Sequence, residues 1–163
     1  MTSENKTLSK SAQSVQYALA EKGLAFEVIE LSSSTRTASD AANSIGCEVA
    51  QIMKSLMFQT AKTNQPVLVL ASGINRVNEK TIEQWVGEKI TKADADYTRE
   101  ITGFAIGGVP PIGHTQVITH VFIDEDLLQH LTLWAAAGTP NAVFSLSSHE
   151  IEALTHGKVI AIK

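Results

Sequence analysis

Two features of this 163-residue chain have residue types suited to holding an anion or a developing oxyanion. The first is a lysine inside an apolar strand pattern. In Gln51–Thr60, QIMKSLMFQT, a period of two sends Ile52, Lys54, Leu56 and Phe58 to one face. Met53, Ser55 and Met57 go to the other. With both faces apolar the segment reads as a central strand, where an ammonium needs an anionic partner, a shifted pKa or a ligand. A lysine snorkelling from a strand edge is the structural alternative. The second feature is Gly103-Phe-Ala-Ile-Gly-Gly-Val-Pro-Pro-Ile-Gly-His114, which holds four of the ten glycines and two of the four prolines. Gly107 and Gly108 allow close backbone approach, and Pro110 and Pro111 stiffen the loop. Bare N–H groups on a stiff loop can donate to an anion. A tight connection between two elements is the plain alternative. No Lys-Ser or Lys-Thr follows the last glycine, so the loop is not a P-loop.

Other chemistries find little support. His114, His120, His130, His149 and His156 include no His-x-x-His or His-x-x-x-His pair, so no metal site is expected. His114 ends the glycine loop and reads as orienting it rather than doing acid–base work. Cys47 is the single cysteine, which excludes a disulfide framework and a cysteine metal site. It follows a helix end with no marked histidine partner and reads as an inert small residue. There is no Gly-x-Ser-x-Gly elbow. Asp94, Asp96, Asp124, Glu125 and Asp126 are accounted for as helix-start charges. What remains is one inward lysine, stiff glycine loops and small polar groups such as Thr37, Ser72 and Asn75. That inventory suits a site that binds an anion and positions water, not one that forms a covalent intermediate.

The elements that must position these groups can be read in order. Ser11–Lys22 forms an amphipathic helix through Ala12, Val15 and Leu19, closed by Gly23. Residues 25–31 alternate as a strand, and Ser32–Arg36 is a polar loop. Thr37 caps a helix through Ala38, Ala41, Ala42 and Ile45 that stops at Gly46. After the lysine strand, Pro66–Ser72 is a continuous apolar run and therefore a buried strand. Gly73–Val77 turns, and Asn78 caps a helix with Ile82, Trp85 and Val86 facing inward, closing near Gly87. A helix from about Asp94 to Thr102 precedes the glycine loop. Strands are expected at Val117–Ile123, Leu131–Ala137, Ala142–Leu146 and Lys158–Ile162, with a turn at Gly138–Asn141 and a helix from His149 to Leu154. About seven strands and five helices in mixed order predict an α/β (α+β) fold: a mixed, largely antiparallel, curved, barrel-like sheet with helices packed outside.

At 44% hydrophobic residues the chain can build one well-packed domain over 1–163, with residues 1–10 as a flexible N-terminus. A net charge of −4 argues against a general nucleic-acid coat but not against a small basic pocket that grips one RNA end. The polar N-terminus lacks a signal-peptide core and no apolar run approaches membrane length, so the expectation is a soluble cytoplasmic protein without a membrane partner.

Five segments, in this order, carry a resemblance: Thr35-Arg-Thr-Ala38, Gln51-Ile-Met-Lys-Ser55, Ala71-Ser-Gly73, Thr102 to His114, and Ala137-Gly-Thr-Pro-Asn-Ala-Val-Phe144. Together they resemble the YbaK-type family, free-standing relatives of the editing domain of bacterial prolyl-tRNA synthetases, over about Ser11 to Ile162. The resemblance implies hydrolysis of the ester that joins a wrong amino acid to the 3′ end of a tRNA, without metal or other cofactor. It makes Lys54 the family's lysine that holds substrate backbone or terminal phosphate. Gly107 to Pro111 matches a Gly-x-x-x-Pro loop whose amides face the scissile carbonyl, and Gly138 lies in a loop that helps close the amino-acid pocket. The expected site is thus Lys54, Gly107 and Gly108 for catalysis, with Thr37, Ser72, Asn75, Pro111, Gly113, His114 and Gly138 for substrate binding. Three departures stand out: Asn75 falls where many relatives carry Asp, Pro110 where many have a small polar residue, and Asn141 where many have His. The implied partner is the acceptor end of aminoacyl-tRNA, with a synthetase or an elongation factor as a further possibility. A non-catalytic module for aminoacyl ends or a related small molecule is the competing reading, and an esterase acting on non-RNA esters a third.

Overall fold

The computed structural model describes residues 8–23, 26–31 and 37–163. In chain order these form α1 (Lys10–Glu21), β1 (Ile29–Glu30), α2 (Ala38–Ile45), β2 (Ile52–Thr60), β3 (Pro66–Ser72), α3 (Glu79–Val86), β4 (Ile90–Lys92), α4 (Ala95–Thr102), β5 (His120–Asp124), β6 (Thr132–Ala136), β7 (Ala142–Ser147), α5 (Ile151–Thr155) and β8 (Lys158–Ile160). Helices begin where the sequence supplies side-chain acceptors. Thr37 Oγ1 accepts from Asp40 N at 3.0 Å and Asp94 Oδ1 from Tyr97 N at 2.8 Å, each satisfying an orphan N–H of a first turn.

The strands make one mixed, largely antiparallel, curved and unclosed sheet in the order β1-β7-β6-β2-β3-β5-β8, with β4 also paired to β2. The pairs β1–β7, β6–β7, β2–β3 and β2–β4 are antiparallel; β2–β6, β3–β5 and β5–β8 are parallel. β2 is therefore interior, hydrogen-bonded on both edges. The alternation of β2 and β3 splits the core. Met53, Met57, Leu68 and Leu70 join α1 and the glycine loop in one cluster. Phe58, Val67, Val69 and Ala71 pack with Ile82 of α3 in another. A strand buried on both faces has no polar side to show, which explains the unbroken apolar run of β3.

Several elements differ from the sequence reading. The described residues hold eight strands rather than about seven: β4 is three residues between two helices, too short for an alternation to register. The strand expected over 25–31 is reduced to Ile29–Glu30, with Ala25 outside the described residues. β5 starts at His120, because the segment before it is bonded back to α4 through Thr115 N to Thr102 O and Gln116 N to Ile101 O. Trp85 does not face inward. It is 50% exposed, and the Lys158 ammonium sits 4.7 Å from its ring centroid. Ser9 caps α1 and Lys10 is its first residue, within the stretch expected to be a flexible N-terminus; Met1–Thr7 and the polar loop expected at Ser32–Arg36 lie outside the described residues.

The glycine loop is fastened to the β6–β7 turn. Gly138 N–H donates to Gly108 O at 2.8 Å. Gly138 has φ of 99°, and a Cβ there would lie 2.6 Å from Ser11 O of α1. Gly138→Ala should therefore destabilise the fold by about 3 kcal/mol, from a left-handed backbone plus overlap with the first helix. Urea denaturation followed by circular dichroism measures it; an unchanged midpoint would show that α1 yields freely at this contact.

Candidate active site

Lys54 is half-buried near the start of β2, opposite Ala71 of β3. Its Nζ donates to the Asn75 main-chain oxygen at 2.8 Å. No carboxylate among the described residues bonds it. Burial pushes its pKa below the ordinary lysine value; Arg76 adds repulsion, and Asp124 opposes the shift. The carbonyl that receives the ammonium is itself held. Asn75 Nδ2 donates to Asp124 Oδ2 and to Asp126 Oδ2, both at 2.8 Å. Asp124 also accepts from Ser72 N at 3.0 Å and Asp126 N at 2.9 Å, and Lys163 pairs with Asp126 at 3.1 Å. The amide of Asn75 and the ammonium of Lys163 hold the Asp126 carboxyl below the usual carboxylate range.

Two cavities adjoin Lys54, and both are also lined by Ser55, Leu56, Ile106 and Val109. One, of about 450 Å³, is bounded by Thr37, Gly73, Gly107 and an apolar wall of Ile52, Met53, Trp134, Ala135, Ala136 and Val143. The other, of about 480 Å³, is bounded by Asn75, Arg76, Val77, Glu79, Lys92 and Thr98. Ile106, 58% exposed at the tip of the loop, stands over both.

The expected site residues separate into two groups. Lys54, Thr37, Asn75 and Gly107 line the cavities. Gly107 has φ of 94°, and its N–H makes no hydrogen bond to a described residue. Gly108, Ser72, Pro111, Gly113, His114 and Gly138 do not line either cavity. Gly108 N–H is already donated to Ala105 O at 3.0 Å, so of the two amides only that of Gly107 is left for an oxyanion. Ser72 Oγ donates to Ala50 O at 2.8 Å. Asn75 contributes its carbonyl rather than its side chain. His114 Nε2 lies 2.7 Å from Pro110 O; a carbonyl only accepts, so this nitrogen carries the proton. The histidine ties the proline pair to the end of the loop, and burial lowers its pKa from 6.5. Asp124, Arg76 and Lys92 were not picked out by the sequence reading. Asp124 reads from the sequence only as a helix-start charge, and its place at the close of an apolar strand was the available signal; nothing local marked the other two.

The family profile of the aminoacyl-tRNA editing domain matches residues 32–154, well over half of the chain. The chain belongs to the aminoacyl-tRNA editing domain family. It is 31% identical to the uncharacterised protein YwhH of Bacillus subtilis over 136 residues, 82% of this chain and 83% of that protein. It is 33% identical to proline–tRNA ligase of Limosilactobacillus fermentum over 95 residues, 56% of this chain but 16% of the ligase. A crystal structure of a candidate trans-editing enzyme for prolyl-tRNA synthetase superposes with a TM-score of 0.91 at 45% identity, covering 96% of this chain and 99% of that one.

Two measurements probe the scaffold. Asp124→Ala leaves Ser72 N–H and the Asn75 amide without their buried acceptor and should cost about 3 kcal/mol in chemical denaturation; a loss below about 0.5 kcal/mol would show that the carboxylate does not organise this corner. For His114, the folded state favours the neutral ring. As pH falls below 6.5 the unfolded chain takes up a proton that the fold resists, so stability drops through the window down to the depressed pKa. His114→Gln keeps an N–H donor and should lose less stability between pH 7 and pH 5 than the wild type. Equal losses would remove His114 as the source.

Proposed function

We propose that this protein is a free-standing editing hydrolase that cleaves the ester bond of mischarged aminoacyl-tRNA in trans. The observation that carries this reading is that Lys54 and Gly107, whose N–H is unspent, line one cavity with an otherwise largely apolar wall. The aminoacyl side chain occupies the apolar cavity, and the ester lies under the glycine loop. Water adds to the ester carbonyl carbon, and the Gly107 N–H stabilises the oxyanion that develops. The carbon–oxygen bond to the ribose then breaks, the ribose oxygen takes a proton, and the free amino acid and uncharged tRNA leave. Lys54 positions the RNA end. The neighbouring hydroxyl of the terminal ribose assists the water, and no metal ion enters the scheme.

Editing answers a limit of binding: a pocket separates near-isosteric amino acids by only about 10–200-fold, so a second, hydrolytic selection is needed. Likeness to a domain found within a proline–tRNA ligase and to a candidate trans-editing enzyme supports this assignment. One observation favours a second reading. Among the described residues the wall of the apolar cavity has no carboxylate or imidazole, which also suits capture of aminoacyl ends without hydrolysis.

A panel of mischarged tRNAs incubated with wild type and Lys54→Ala separates the two. Deacylation of at least one member, falling roughly 100-fold in kcat/KM for the variant, is the expected result. Equal rates would remove Lys54 from the mechanism. Tight binding with no deacylation of any member would favour the binding module.

A further inference from the structure

The second cavity has two cations, Arg76 and Lys92, that neither the family assignment nor the proposed chemistry uses. In a chain of net charge −4, it gathers Lys54, Arg76 and Lys92, with Glu79 as the one carboxylate among the described residues of its wall. The three cations come from separate segments: Lys54 from β2, Arg76 from the turn after β3, and Lys92 from the end of β4 opposite Phe58. Among the described residues the one ion pair joins Lys163 to Asp126, so neither Arg76 nor Lys92 is neutralised. Lys54 spends one N–H on a neutral carbonyl and keeps two. Two hydroxyls in the same wall, Ser55 Oγ and Thr98 Oγ1, are buried without a hydrogen-bond partner, and Thr98 is only 1% exposed. Those two oxygens are closed off from solvent, so the recognition chemistry of this cavity rests on its cations.

We propose that this cavity is a phosphate-binding subsite in which Arg76 and Lys92 hold the phosphodiester that precedes the terminal nucleotide of the RNA. The inference rests on the editing reading. It adds that the substrate straddles Lys54, with its acyl part on the apolar side and its nucleotide part on the cationic side. An arginine fork matches phosphate oxygens in a bidentate manner, and the lysine adds a point charge. Ile106 and Val109, common to both cavities, stand at the division between the two parts. One or two phosphate contacts suffice, which is how an acidic chain can hold an RNA end.

The test uses the full chain and two esters of one amino acid: 3′-O-aminoacyl-adenosine, which has no phosphate, and the same ester on the dinucleotide CpA, which has one phosphodiester. Wild type should prefer the CpA ester through KM. Arg76→Gln and Lys92→Gln should each shrink that preference about tenfold, with KM rather than kcat changing. The salt dependence of CpA binding should weaken by roughly one phosphate contact. Both side chains are exposed, so the variants should fold. Equal losses on both esters, or none on either, would overturn the subsite. NMR titration with uncharged CpA and with inorganic phosphate needs no hydrolysis. Shifts around Arg76 and Lys92 with CpA, lost in the variants, support the subsite even if no ester is cleaved. Shifts with inorganic phosphate alone would overturn the nucleotide assignment, and hydrolysis of the CpA ester with no such shifts would overturn the subsite itself.

Discussion

An ammonium bonded to a main-chain carbonyl in the middle of a sheet is the constraint around which the rest is arranged. Lys54 is in a strand paired on both edges, with apolar neighbours on its own face and the opposite one. Such a position disfavours the charged form, and its depressed pKa reflects this. A carboxylate partner would relieve the cost but would also neutralise the charge. The fold supplies a neutral acceptor instead, the Asn75 carbonyl, and places carboxylates one layer back on the Asn75 side chain. Lys54 is thereby oriented while its charge stays available. The same logic accounts for the sign of its pH linkage. Below the depressed pKa the fold bears the full cost of the charge, and stability rises as pH climbs from there toward the unfolded value of 10.5.

The glycine loop answers to a second constraint, that an amide can stabilise a developing charge only if it is rigid and unspent. Rigidity comes from contacts around Gly107, not from Gly107 itself. Gly108 is bonded back to Ala105 and accepts from Gly138; Pro110 is tied to His114; Thr102 Oγ1 accepts from Phe104 N. Gly138 is in turn pressed against the first turn of α1, so a helix remote in sequence helps set where the loop lies. Of the residues expected to contact substrate, Gly138 and His114 hold the loop through Gly108 and Pro110, while Thr37 and Asn75 line the cavities.

How much was legible follows from where each signal resides. Lys54 announced itself because a charge inside QIMKSLMFQT breaks an apolar pattern on both faces. The caps Thr37, Asn78 and Asp94 and the buried run of β3 were equally local. What escaped was non-local. The division of labour between Gly107 and Gly108 depends on hydrogen bonds to Ala105 and to Gly138, the latter thirty positions away. Asp124 was read as a capping charge, which it is, through Asp126 N; its bonds to Ser72 and Asn75 exist only once β3 and β5 lie side by side. Trp85 was assigned inward by period alone, yet on a two-turn helix its ring reaches past the core edge to Lys158 of β8. Arg76 and Lys92 carry no local pattern at all. They become a feature only when a turn and a three-residue strand meet beside β2.

That last pairing bears on how a chain of acidic balance can handle RNA. Binding through a broad basic face would need many phosphate contacts and would not distinguish an acceptor end from any other stretch. Here the cations are few, and they line a cavity that adjoins the one where the acyl group would lie. Both cavities draw on the same three strand residues, Lys54 to Leu56, so the proposed ligand would fill them together with its acyl group and its anion a fixed distance apart. Uncharged RNA satisfies one half and a free amino acid the other. On the proposed reading the joined molecule is the one that fills both cavities, and the interior strand that carries Lys54 sets the spacing.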